Sequence, residues 1–488
     1  MARTFNLLLL IMFVFFLHCG KIENGINPTV LLLLYYGPAQ TYYVDAVNGN
    51  DNSDGISADT AWKTLNKVNT SQYGFWSRVL FRRGQTWRDQ LLPKSGVSYG
   101  AFGAGSRPVI MGSVNKSNIA NWIDEGGNIW RCAETSTLDV GNMIFNNAAL
   151  FGYKKWLDED LAVQGDYFFD RATGVLRIYS AQNPAQFYSD IEMALRRHVV
   201  DYTSVSYASF EDLSIQYGAA HGFGGSSTSH ITIRHCDISY IGGGDLTLDG
   251  QNIRFGNGIE FWGNAHDNLV EGNRIWEIYD SALTNQNHSS AVQQYNIIYR
   301  NNIIWNCGMS SFEYWNRPAE STTRSIIFEN NTALFAGSGW GKPPQRPDPS
   351  GAHILLPWNP ARTSEVIIRN NIFYESNENL RLGYTSEYAG VLAMDYNCWY
   401  QSSGTMMHLY DIPAEYTMAQ FADYQSLNGL DAHSVAADPQ FVDVATMDVR
   451  LKPASPCIDT GVSAGVTSDI AGTVRPQGGR PDMGAYEQ

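Results

Sequence analysis

Cysteine is scarce in this 488-residue chain and never paired in sequence. Six occur, at Cys19, Cys132, Cys236, Cys307, Cys398 and Cys457, and no two have the CxxC spacing, which argues against a thiolate metal site. They are expected to be buried free thiols rather than disulfides. Positive charge is also short: 33 basic residues face 48 acidic ones, a formal net charge of −15. No basic stripe exists to meet phosphates, so nucleic acid is excluded as a partner. The apolar run from Leu7 to Leu17 falls short of the roughly 20 residues a membrane span needs. No motif of a nucleotide or redox cofactor occurs, and no compact Asp cluster has calcium-ligand spacing. What is present is 44% hydrophobic and 13% aromatic residues, a composition that folds.

One phrase repeats between Ser229 and Tyr400: an apolar run, an Asn or Asp, then another apolar residue. It reads ITIRHCDIS, NLVEGNRIW, IIYRNNIIW, IIFENNTAL, VIIRNNIFY and LAMDYNCWY. The polar position falls at Asp237, Asn273, Asn302, Asn331, Asn371 and Asn397, with an earlier copy at Ser214. Irregular periods of 20–40 residues mark a solenoid with loops of unequal length. Within a unit the alternation has period 2, so the units are strands. The recurring Asn is read as both a bend, since it tolerates unusual backbone angles, and a ladder of stacked amides.

The two ends carry a resemblance. Gly49-Asn50-Asp51, Asp54-Gly55 and Trp62-Lys63-Thr64-Leu65 near the start are similar to the opening of secreted right-handed parallel β-helix proteins of the pectin-lyase-like superfamily. So are the turns Arg83-Gly84-Gln85-Thr86-Trp87 and Gly103-Ala104-Gly105. Ser455-Pro456, Ile458-Asp459, Asp469-Ile470-Ala471-Gly472, Arg475-Pro476 and residues 481–487 (PDMGAYE) resemble the common ending of the same proteins. The resemblance implies an all-β chain, a right-handed parallel β-helix with an N-terminal capping helix, and carbohydrate-active chemistry. The expected layout is a leader over 1–39, cap and first coils over 40–113, a small β-rich insertion over 114–200, the helix core over 201–440, and a final coil and tail over 441–488. Arg3 ahead of the apolar run reads as an export signal, with cleavage after Ala39 one option and lipid anchoring at Cys19 another. The expected location is secreted, periplasmic or cell-surface, and the expected state a monomer.

Function is sought on the strands that follow each ladder unit. In GNGIEFWGN, DSALTNQN, SSFEYWN and AHILLPWN, residues Ile259, Leu283, Phe312 and Leu355 are aligned as inward. Glu260, Thr284, Glu313 and Leu356 then face out, followed by Trp262, Gln286, Trp315 and Trp358. Indoles beside carboxylates on one face suit sugar rings. Glu260 and Glu313, two coils apart, would have Cα atoms about 10 Å from each other, which suits an acid and a base flanking a glycosidic bond. Asp280 stands near both. The long segments Gly242–Gly258 (with Asp245, Asp249 and Arg254) and Gly337–His353 (with Trp340, Lys342, Arg346, Asp348 and His353) are too long for plain turns. Arg317 and His288 complete the candidate groove.

The expected activity is hydrolysis of a polysaccharide or oligosaccharide. Glu313, Glu260 and Asp280 are the catalytic candidates. Trp262, Trp315, Trp340, Trp358, Arg346, His353, Arg317 and His288 are the substrate-binding ones, and no metal or cofactor is expected. A uronate lyase is the first alternative, with calcium on Asp245, Asp249, Glu260 and Asp280 and a base among Lys342, Arg346, His288 and His353. A non-enzymatic glycan-binding surface protein is the second.

Overall fold

The computed structural model describes residues 37–247, 252–288, 290–347, 350–357, 362–363, 365–412 and 414–488. Cys19 and the expected export segment, Asp249, Asp348 and Trp358 lie outside them. Among the described residues no helix is long and apolar enough to cross a membrane.

The chain winds through three long sheets of 11, 10 and 9 strands, in which strands from successive coils pair almost throughout in parallel. This is a parallel β-helix, and crossovers between parallel strands of one sheet are right-handed. One coil runs Ala265–Glu271, Arg274–Ile278 and Ser281–Asn287, and the next runs Gln293–Arg300, Ile303–Cys307 and Ser310–Asn316. A single apolar core fills the inside from Val44 at one end to Tyr424 at the other. Aromatic rings stack along it, as Phe312 on Phe328, Phe328 on Phe373 and Phe373 on Trp399.

The amide ladder is present, with a shift at its start. Asn273, Asn302, Asn331, Asn371 and Asn397 are fully buried. Each side-chain NH₂ donates to the next amide oxygen, at 3.0, 3.0, 3.1 and 3.0 Å along the series. Each also donates to a backbone carbonyl of the preceding coil, for example Asn331 to Tyr299 at 3.0 Å. Asp237, however, pairs in register with Arg274, not Asn273, and Ser214 with Asp237. The equivalent of Asn273 one coil earlier is therefore Cys236, whose N–H donates to the Asn273 side chain. Asp237 instead meets the guanidinium groups of Arg274 and Arg107. Nor is the ladder amide the bend. The residue before it takes the left-handed conformation, as at Asn301, Asn330 and Asn370 with φ of 54°, 52° and 57°. In each Asn-Asn pair the first residue turns the chain and the second stacks.

The ends are closed. Thr64 caps a short helix, Leu65–Thr70, by accepting from the Lys67 N–H, and the helix buries Leu65 and Val68 against the first coil. Trp62 stacks on Tyr42, and Gly55 has φ +76° where a Cβ would strike the Trp62 ring. At the far end the helix Phe421–Asn428 buries Phe421 and Tyr424, a cap the sequence reading did not include. The tail packs on the outside of the ladder sheet, with Cys457, Met483 and Ala485 in one cluster with Ile303, Leu334 and Ile372. All five described cysteines are buried and free.

Residues Ser113–Leu195 make two small, largely antiparallel sheets with a core of their own around Tyr167, Phe145 and Ile178. They touch the solenoid through its loops. Arg254 donates to the carbonyls of Gly141 and Gly243 at 2.8 Å each, and Gln345 donates to Gly152 at 2.8 Å.

Candidate active site

The nine-stranded sheet carries a groove on its outer face. Its register runs Ile259, Leu283, Phe312, Ile354, Leu380, Met407 inward, and Glu260, Thr284, Glu313, Leu355, Arg381, His408 outward. The first three coils match the expected alignment. In the fourth, Ile354 and not Leu355 pairs with Phe312, so Leu355 lies beside Glu313. Two residues beyond Leu355 is Pro357, and Trp358 lies outside the described residues.

Glu260, Asp280 and Glu313 line one hollow of about 950 Å³ together with Trp262, Trp315, Arg317, His288 and Arg346. A second hollow of about 740 Å³ continues it over the later coils, lined by Arg381, Tyr384, Tyr410 and Asp411. Glu313 and Met309 line both. Glu313 thus stands at the junction, with open space on either side along the sheet.

Glu313 is 5% exposed. Its Oε2 accepts from the Ser281 hydroxyl at 3.0 Å and its Oε1 from the Trp315 indole N–H at 3.0 Å. Burial, reinforced by the Asp280 charge, pushes its carboxyl up to about 8. Asp280 itself is held by the Arg346 guanidinium and accepts the Gly256 N–H at 3.1 Å. Gly256 has φ +141° and packs against Gly242 so closely that no side chain fits.

Glu260 is equally buried but ends in the opposite state. Burial alone would raise its carboxyl, yet His221 and Asn257 outweigh burial and hold it below the ordinary value. His221 Nε2 lies 3.2 Å from Oε1, and the Asn257 amide donates to Oε2 at 2.6 Å. The Asn257 backbone N–H donates to His221 Nδ1 at 2.9 Å, which assigns the ring proton to Nε2, facing Glu260. His198 stacks on His221 at 4.9 Å and is pushed down to about 4 by burial. The groove therefore holds one carboxyl that keeps its proton and, two coils away, one that gives it up.

Trp262 and Trp315 are half-exposed and meet edge to face at 6.0 Å. The Arg317 guanidinium lies over Trp315 and its Nη1 is 2.6 Å from His288 Nε2. Two expected binders are elsewhere. Trp340 is 5% exposed, packed between Phe151 and Tyr279, with its indole N–H on the Glu277 carbonyl at 2.8 Å. It joins its loop to the insertion and offers no open face to a sugar. His353 is fully buried, stacked on the core ring of Phe373, with Nδ1 2.9 Å from the Ser311 hydroxyl, and burial pushes it down to about 4. It stands at the start of its strand, beside Ser311, and turns into the stack rather than onto the outer face.

Of the acids considered for calcium, the three described ones are each taken by another partner. Asp245 is fully buried and pairs with Arg171 at 2.6 Å, Glu260 is taken by His221 and Asn257, and Asp280 by Arg346. Lys342 is exposed and lines neither hollow. The described residues do not fit a calcium ion there. Sequence reasoning missed His221, His198 and Asn257, and the Tyr384–Tyr410 end of the groove. His221 and Asn257 lie in glycine-rich turns that carry no motif.

The family model for a right-handed β-helix region matches residues 193–342. A comparison with curated proteins finds no match. Among solved structures the chain is similar to a GH136 lacto-N-biosidase from Eubacterium ramulus, at 14% identity and a TM-score of 0.43, over 82% of this chain and 67% of that one. It is also similar to a pectate lyase, at 13% identity and a TM-score of 0.46, over 92% and 96%. A third is a family 28 exopolygalacturonase from Yersinia enterocolitica, at 11% identity and a TM-score of 0.34, over 84% and 69%. With the sheet topology and the family match, the chain has the right-handed parallel β-helix fold.

Proposed function

We propose that this protein is a glycoside hydrolase acting on a polysaccharide or oligosaccharide, with Glu313 as general acid and Glu260 as general base. The reading rests on one observation above all. A proton-retaining carboxyl, Glu313, stands at the junction of two hollows, and an ionised one, Glu260, faces the same groove two coils away. Cleaving a glycosidic bond needs a sugar on each side of the acid. It also needs a proton for the departing oxygen and a carboxylate to take one from water. A two-coil separation, about 10 Å between Cα atoms, leaves room for that water and favours inversion at the anomeric carbon. Asp280 raises the Glu313 carboxyl and Arg346 holds Asp280 in place. Trp262 and Trp315 supply stacking faces for the rings, and Arg317 and His288 polar contacts at their edge. This reading carries with it export from the cell and action as a monomer.

The test is a glycan panel read for new reducing ends and for ultraviolet absorbance of unsaturated products, on wild type, Glu313→Gln and Glu260→Gln. Reducing ends without unsaturation, reduced about 10²–10⁴-fold in kcat by either substitution, are expected. Unsaturated products transfer the protein to the lyases. Binding without release of sugar from any glycan makes it a glycan-binding protein. Proton NMR of the first-formed product is expected to show the inverted anomer; a retained anomer assigns the second carboxylate to Asp280 as nucleophile.

A further inference from the structure

Around the corner from the groove, where two successive coils turn from the nine-stranded into the eleven-stranded sheet, His230, His266 and Asp267 present ligand atoms within 4.8 Å of one another. None of them lines either groove hollow. His266 Nδ1 lies 2.8 Å from Asp267 Oδ2, and His230 Nε2 lies 3.8 Å from the same oxygen. Adjacent ligands on an ion bound at about 2.0–2.1 Å sit roughly 3 Å apart, so small side-chain rotations bring the three onto a common centre.

The surroundings hold these groups as a second shell holds ligands. The free oxygen of Asp267, Oδ1, accepts from the Asn296 amide at 2.6 Å, which orients the carboxylate. The His230 ring stacks on Tyr207, at 4.2 Å and 18°, and the His266 ring on Tyr295, at 4.7 Å and 7°. Each imidazole is thus braced by an aromatic ring from its neighbouring coil. The three side chains remain 29–40% exposed, which leaves an entry path and open positions for water.

We propose that His230, His266 and Asp267 form a transition-metal site that ties two coils together on the flank of the solenoid. Two imidazoles and one carboxylate suit zinc and its neighbours in the first transition row. Calcium takes six to eight oxygens and finds one side-chain oxygen here. The site does not depend on the glycosidase reading, and its metal touches no group assigned to catalysis.

The experiment is titration of zinc chloride into the chelator-treated full-length protein at pH 7.5, followed by calorimetry and thermal melting. One ion per chain and a higher melting temperature are expected. Affinity is expected to fall at least tenfold in His230→Gln and in Asp267→Asn. Sugar release, if present, stays at wild-type level in both variants. Cobalt(II) added to wild type gives a readout that no variant's folding can confound: intense visible bands of an imidazole-ligated low-coordinate ion support the site. A spectrum of the hydrated ion, the lack of any zinc response, or an equal response in the two variants overturns it.

Discussion

Glu313 holds its proton because the fold removes water from it and places a negative charge nearby, while two donors fall short of compensating. Its pKa of about 8 against an ordinary glutamate near 4.3 means that the folded state prefers the protonated form. That preference contributes stability that is complete below about pH 4.3 and lost as pH rises through 8. Glu313→Gln mimics the protonated state. It is therefore expected to melt at a higher temperature than wild type at pH 9, with little difference at pH 4, while losing turnover. Equal melting temperatures at both pH values would contradict the assignment. The rate of sugar release should fall on the alkaline side through about pH 8. In Asp280→Asn this limb should move to lower pH, since one charge raising Glu313 is gone. Abolished turnover at every pH in that variant would instead make Asp280 a direct participant.

At the scale of an element, the loop between Gly337 and His353 is positioned by what it buries. Trp340 is clamped by Glu277, whose carboxylate accepts the Trp340 N–H at 2.6 Å, and by the rings of Phe151 and Tyr279. Arg254 reaches from the neighbouring loop to Gln345 and Gly141, so insertion and both loops lock together behind Arg346. Trp340→Ala and Trp315→Ala should therefore fail differently. The first should lower kcat and loosen the loop, read as faster proteolysis between 337 and 353, because Arg346 loses its support. The second should raise KM about tenfold, the worth of one stacking face, and also change kcat, because its indole N–H donates to Glu313, while leaving the loop protected. The ladder is a second such element. Asn331→Ala leaves the Asn302 backbone N–H and side-chain amide without their acceptor and is expected to cost about 2–5 kcal/mol in urea unfolding.

Over the whole molecule, stability depends on closing a stack that has two open ends and one exposed flank. The tail closes the flank, and one buried pair fastens it. Arg475 Nη1 donates to Glu487 at 2.9 Å, and both side chains are at most 1% exposed. Arg475 also donates to the carbonyls of Asp482 and Gly484. Arg475→Met leaves the Glu487 carboxylate buried and unpaired, so a loss of about 3–5 kcal/mol is expected. Hydrogen exchange should show the loss as opening along Ile303, Leu334 and Ile372, which the tail covers.

The sequence by itself determined the repeat, and with it the fold. Apolar alternation of period 2 and a recurrent buried amide can be satisfied only by stacking coils, because each unit is too small to bury its own face. It also determined that Glu260 and Glu313 lie on one face, since each follows an inward apolar residue, Ile259 or Phe312, and both strands align through Leu283. Where loops differ in length the register could not be read, and the errors fall there. Asp237 stood in for Cys236, because both adjoin the turn. Leu355 stood in for Ile354, because a long loop precedes that strand and hides where its alternation begins. Trp340 looked like a sugar platform because an indole in a polar loop does not reveal which of its faces is covered. Only the tertiary structure decided the protonation states. Glu260 and Glu313 are the same residue in similar sequence settings, and what separates them is His221 and Asn257 beside one and Asp280 beside the other. Those neighbours come from different coils, and proximity between coils is a property of the stack alone.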